Sequence, residues 1–117
     1  TLLGTSGFRA SGRDAKRISD LRQITNALEL YYAKTGDYPT SAEYNADDLV
    51  VKKIISKLPI DPTPTDTYKY EYSPCTSGYI VKATLEQTKV RDSYDVTAAV
   101  SGCGIACSTA QEFCIKY

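Results

Sequence analysis

The stretch Arg13–Pro39, 'RDAKRISDLRQITNALELYYAKTGDYP', decides the reading of this chain. Ile18, Leu21, Ile24, Leu28, Tyr31 and Tyr32 recur at spacings of three and four, which puts them on one stripe of an α-helix. The remaining face, with Lys16, Arg17, Asp20, Arg22, Gln23, Asn26 and Glu29, is charged or amide-bearing. Ser11 and Asp14 are placed to cap the helix start, and Gly36, after Lys34 and Thr35, is the left-handed residue that stops it. A helix from about Asp14 to Thr35 spans about 33 Å at 1.5 Å per residue. That is long for a domain of 117 residues, and so narrow a stripe predicts half-burial, with one side on a sheet and the other toward water or neighbours.

Upstream, 'TLLGTSGFRASG' (Thr1–Gly12) reads as a linker or as the remnant of a helix that starts earlier, leaving residues 13–117 as a single globular domain. Downstream, Pro39 holds Tyr38 extended, so that Tyr38 can fold back on the helix end. Asn45 with Asp48 predicts the start of a second, short helix whose Leu49, Val50, Ile54, Ile55 and Leu58 face the core and which Pro59 closes. Prolines 59, 62 and 64 predict an irregular loop. 'TYKYEYS' then alternates, with Tyr68, Tyr70 and Tyr72 on one face, and 'YIVKATLE' sets Tyr79, Val81, Ala83 and Leu85 against Ile80, Lys82, Thr84 and Glu86. A third strand is expected in 'SYDVTAAV' through Tyr94, Val96 and Ala98. Short connections favour an antiparallel meander whose apolar face the helix stripe covers. The expected fold is α+β, a long N-terminal helix on a three- to four-stranded antiparallel sheet.

Fourteen basic and fourteen acidic side chains cancel, so no global field draws the protein to nucleic acid or to an anionic membrane. Five basic groups between Arg9 and Arg22 face only two acidic ones, and a solvated or subunit-facing helix explains that patch without DNA. No run approaches the eighteen apolar residues of a membrane span, so the chain reads as soluble. Histidine is absent, which removes His-based triads, His metal ligands and a switch near neutral pH. No Gly-rich phosphate loop or 'SxxK' appears, and the carboxylate pairs Asp47/Asp48 and Asp61/Asp66 read as cap and turn residues, so no enzyme is expected. Ten tyrosines against two phenylalanines suit a thin core or a subunit contact.

Cysteines 75, 103, 107 and 114 read as a disulfide framework and an oxidising, extracellular setting rather than a zinc site, which would need close CxxC pairs. Three pairings are open; the meander geometry favours Cys75 with Cys103 and leaves Cys107 with Cys114. The tail 'SGCGIACSTAQEFCIKY' is expected to add little apolar core and to be held covalently. Asp61, Asp66, Asp92 and Asp95 offer hard oxygens for calcium, but they match no twelve-residue calcium loop and read as turn aspartates first. No other cofactor is expected.

Taken in order, 'RDAKRISDLRQITNALELYYAKTGDYPT', 'LPIDP' and the strands up to about Leu85 resemble the type IV pilins and the pilin-like pseudopilins of type II secretion. The resemblance lies in the 'AL..Y....G.YP' ending of the helix and in the 'LP.DP' segment. It implies a structural subunit with no catalytic site: the head of a helical filament, on the cell surface or outside the cell. The precursor would be membrane-anchored through an apolar helical half upstream, cut and methylated at the mature N-terminus, and handled by inner-membrane assembly machinery. Partners would be further copies and other pilins. By position, Ile18, Leu21, Ile24, Leu28 and Tyr31 would form the helix–sheet seam. Gly36, Tyr38 and Pro39 match the turn, and Leu58, Pro59, Asp61 and Pro62 the later loop. Major secretion pseudopilins commonly continue with Trp-Gly and bind calcium in a later loop, whereas this chain reads 'DPTPTDTYKYEY', a departure that counts against the secretion assignment and the calcium inference together. A minor tip pilin or adhesin that binds a surface, sugar or DNA, and a secretion pseudopilin, are the alternatives.

Overall fold

The computed structural model describes residues 2–63 (2–8 as backbone), 68–87, 103, 105, 107 and 111–117. Helix α1 runs from Leu2 to Thr35, so the stretch expected to be linker or helix remnant is helical and Ser11 lies inside the helix instead of capping it. Gly36 ends it at φ +90°, donating its N–H to the carbonyl of Tyr32 at 2.8 Å, the closing bond of a left-handed C-terminal cap. Among the described residues no helix is long and apolar enough to cross a membrane.

Two short helices follow, α2 (Ser41–Asn45) and α3 (Asp48–Val51). The helix expected from Asn45 with Asp48 is α3, which starts at Asp48 behind a left-handed Asp47 with no side-chain cap bond and ends at Val51, while α2 before it is capped by Thr40. The Thr40 hydroxyl accepts from the Glu43 N–H at 3.1 Å while the Thr40 N–H donates to the Glu43 carboxylate at 2.8 Å, a reciprocal capping box. Asn45 is the last residue of α2. Leu49 on α3 is fully buried, and Ile54, Ile55 and Leu58 pack half-buried against the core.

The sheet is antiparallel in the order β1 (Glu71–Pro74), β2 (Tyr79–Thr84), β3 (Glu112–Lys116). Tyr72 pairs with Val81, and Val81 and Ala83 with Ile115 and Phe113. Strand β1 starts at Glu71, later than the Tyr68–Tyr70 alternation suggests. The third strand lies in the cysteine tail, and Phe113, Cys114 and Ile115 on it are all buried, so the tail does build core, contrary to expectation. The segment 'SYDVTAAV', with Tyr94, Val96 and Ala98, lies outside the described residues.

Central strand β2 is buried on both faces. Tyr79, Val81 and Ala83 join Phe113, Ile115, Tyr72 and Leu85 in one cluster with Leu21, Ile24, Ala27, Leu28 and Tyr31 of α1. On the opposite face Ile80 packs with Cys107 and Cys114, flanked by Cys75, Cys103 and Ile105. Disulfides join Cys75 to Cys103 and Cys107 to Cys114. Among the described residues these disulfides supply the cover on that face.

Candidate functional site: the seam of the long helix

Every feature on which function can rest borders α1. Along its apolar half, Leu21, Ile24, Leu28 and Tyr31 are buried on the sheet and Ile18 is half-buried at the near end. Tyr32 departs from the stripe: it is 47% exposed and lies against Tyr38 with ring centroids 4.7 Å apart.

The face read as solvated is in part buried as deeply as the apolar stripe. The Arg17 side chain has no exposure, and Asp14 and Asp20 are also buried. The Arg17 guanidinium donates from Nε to Asp61 at 2.7 Å, from NH1 to Asp14 at 2.7 Å and to Glu86 at 2.8 Å, and from NH2 to Thr63 at 2.8 Å. Its plane lies 4.5 Å from the Tyr68 ring centroid. Arg13 forms a second pair of bonds to Glu86. Three carboxylates thus converge on one fork of donors, the geometry for which a guanidinium is suited and an ammonium is not. Burial works against the Arg17 charge, but the bonds to Asp61, Glu86 and Asp14 outweigh it and raise its pKa further. The hydrogen bond from Arg13, with help from Arg17, pulls the Glu86 carboxyl down to about 2 against the opposing effect of burial.

The same carboxylates satisfy loop backbone. Asp14 accepts from the N–H groups of Glu86 and Gln87 at 2.9 and 3.0 Å, and Asp61 accepts from the Thr63 N–H at 2.7 Å. The cluster therefore ties α1 to the loop before β1 and to the end of β2. Asp61, a calcium candidate by sequence, is occupied by Arg17 and Thr63 and is oriented toward them. Asp66, Asp92 and Asp95 lie outside the described residues. Among the described residues no group of three or more potential ligands is arranged to hold a metal ion.

At the other end of the helix the turn residues serve as a ring contact. Tyr38 sits between Tyr32 and Tyr79, with centroid distances of 4.7 and 4.8 Å, and Tyr79 lies 5.4 Å from Tyr117. The hydroxyls of Tyr38 and Tyr79 both donate to Glu29, at 3.0 and 2.9 Å. Burial, followed by that bond to Glu29, pushes the Tyr38 phenol up to about 12. Pro39 is buried, and its carbonyl accepts from Tyr72 at 2.6 Å. Tyr31 donates to Asp48 at 2.6 Å and Tyr70 to Asp20 at 2.7 Å. Tyr31, Tyr38, Tyr70, Tyr72 and Tyr79 thus turn their rings toward a thin core while each hydroxyl reaches an acceptor. We found no matching protein family, no matching curated protein and no matching solved structure for this chain.

Proposed function

We propose that this chain is the head of a type IV pilin-like filament subunit whose function is assembly. The observation that carries this reading is a single 34-residue helix, about 50 Å long at 1.5 Å per residue, of which only the later part is committed to the sheet. The first described side-chain tether from α1 to the rest of the domain is Ser11 to Gln87, at 2.8 Å. The helical backbone begins at Leu2, well before the stretch that packs on the sheet, as expected of a helix that joins a head to a shared stalk. Two further facts support it: the two disulfides brace the sheet face away from α1, and the buried ionic cluster fixes the helix at a set angle to the head.

In this reading the helix continues upstream as an apolar segment that bundles with its neighbours, and the protein works outside the cell. The order of motifs, with 'LPIDP' leading into 'TPTDTYKYEY', favours a pilus over a secretion pseudopilus. The test is expression of the full-length precursor in cells with an intact pilus machinery. Filaments that contain this chain, seen by electron microscopy and lost when the upstream segment is deleted, are expected. A full-length protein that stays monomeric in such cells overturns the reading.

A further inference from the structure

A groove of about 590 Å³ lies where the C-terminal turn of α1 meets the β1–β2 turn and the end of β3, bordered by Glu29, Tyr32, Asp37, Tyr38 and Tyr117. Tyr32 and Tyr117 remain about half exposed although both are engaged in ring contacts, so part of each side chain stays within reach of a ligand. Among the described residues no cationic side chain is part of the groove's lining, although the Lys116 ammonium reaches its rim, 3.6 Å from where a Cβ of Gly78 would lie. The nearest basic group on this end of the sheet, Lys116, turns its ammonium onto the carbonyls of Ser77 and Tyr117. Glu29 and Asp37 have no ion-pair partner among the described residues. The floor is fixed: Gly78 has φ +84°, and a Cβ there would lie 1.7 Å from the Tyr117 carbonyl oxygen, so the turn approaches β3 as closely as a chain can.

Two physical effects add at this spot. A phenol that donates to a carboxylate gains electron density in its ring, and both Tyr38 and Tyr79 donate to Glu29. Electron-rich rings and an unpaired carboxylate both attract positive charge, and aromatic faces beside a carboxylate are the recognition chemistry of alkylammonium groups. A neutral sugar would stack on the same rings and donate hydroxyls to the carboxylates, but it would leave their two negative charges uncompensated.

We infer that this groove binds an organic cation, an ammonium head held against the Tyr32, Tyr38 and Tyr117 rings, of which Tyr38 is the one enriched by its bond to Glu29, and neutralised by Glu29 and Asp37. The site stands whether or not the chain builds filaments. The shared chemistry is met by a small quaternary amine or by a lysine side chain, and the two are separable.

The test uses the whole chain, with the tyrosine ring resonances followed by NMR at fixed ionic strength. Choline, its neutral isostere 3,3-dimethylbutanol, N-acetyl-lysine methylamide and methyl glucoside are titrated in turn. Choline or the lysine derivative is expected to shift the Tyr32, Tyr38 and Tyr117 rings, and the isostere to bind about tenfold more weakly. Tighter binding of choline would assign a small-molecule source, and tighter binding of the lysine derivative a protein side chain. Glu29→Gln, which keeps an acceptor for both phenols, and the exposed Asp37→Asn are each expected to weaken the cation about tenfold while the backbone spectrum stays that of the parent. Equal binding of choline and its isostere, ring shifts with the glucoside alone, no shift with any cation, or unchanged affinity in both variants overturns the inference.

Discussion

From Leu21 to Tyr31, α1 meets the sheet through side chains that are almost wholly apolar, whereas from Arg13 to Asp20 it meets two loops through charged groups, of which Asp14, Arg17 and Asp20 are buried. One helix thus carries two kinds of interface end to end, and the difference follows from what each neighbour presents. Strands β2 and β3 satisfy each other's backbone and offer only side chains, so burial of carbon is the available gain. The segments around Thr63 and Glu86 have ended their regular structure and offer open N–H groups, which must find acceptors if they are to be covered. Asp14 and Asp61 supply them, and Arg17 makes those buried carboxylates tolerable.

The strongest way to break this comparison is to remove the cation. Arg17→Met keeps much of the packing volume but leaves Asp14, Asp61 and Glu86 facing one another without their shared partner. Loss of one member of a buried ionic group costs about 3–5 kcal/mol, and urea denaturation at neutral pH should show it. A loss under about 1 kcal/mol would put the cluster among solvent-screened pairs and erase the distinction between the two halves. In the apolar half, Leu28→Ala should cost about 3 kcal/mol, since Leu28 has no exposure and its neighbours are fixed by the sheet. Its cost should not change with salt, whereas the cost of Arg17→Met should fall as salt screens the carboxylates that remain.

These two halves were unequally legible. A period of three to four residues reports which side of a helix is apolar, and Leu21, Ile24, Leu28 and Tyr31 lie where that period puts them, in the core. Periodicity says nothing about a charged residue that will meet its partners 44 and 69 positions away, as Arg17 meets Asp61 and Glu86. Hydropathy assigns such a residue to solvent, and only the three-dimensional fold can overrule it. A signal that was present but passed over is 'TSAE' at Thr40–Glu43, whose Thr-x-x-Glu spacing specifies the capping box of α2. Strand β3 was hidden for another reason: in 'EFCIK' three consecutive buried residues leave no alternation, because one face packs on α1 and the other on the disulfides. The cysteine pairing drawn from meander geometry is the one observed, although the strand used to argue it lies outside the described residues. The tyrosine groove could not be read at all, since it assembles Glu29, Asp37 and Tyr117 from opposite ends of the chain.

A smaller effect should separate the halves by pH. The Glu86 carboxyl titrates near 2 in the folded protein against an ordinary value of 4.5. A depressed carboxyl pKa adds stability that is fully present above the unfolded value and is lost as pH falls through the folded one. Acid between about pH 4.5 and pH 2 should therefore loosen the ionic half first. Amide exchange at pH 3 compared with pH 6, corrected for intrinsic rates, should show Glu86 and Gln87 losing about tenfold in protection while Val81 and Ala83 hold theirs. Simultaneous loss at all four amides would mean that the apolar half depends on the ionic one.

The smallest expected effect is the most discriminating. Arg17 and Leu28 are eleven positions apart, about 16 Å along the helix axis, and among the described residues the hydrogen-bond partners of Arg17 lie outside the Leu28 cluster, the nearest bridge being Tyr70, which packs on that cluster and donates to Asp20. If each half is held by its own neighbours, the cost of the double variant Arg17→Met/Leu28→Ala should equal the sum of the single costs to within about 0.5 kcal/mol. Arg17→Met combined with Asp61→Asn should instead fall well short of additivity, since the two groups share one bond network. The control matters because a stiff helix could carry strain from one end to the other, and a coupling of more than about 1 kcal/mol between Arg17 and Leu28, twice the additive tolerance, would show that it does. In that event α1 is clamped as a single rod, and loosening either end would release the whole head from its angle to the stalk that the filament reading requires.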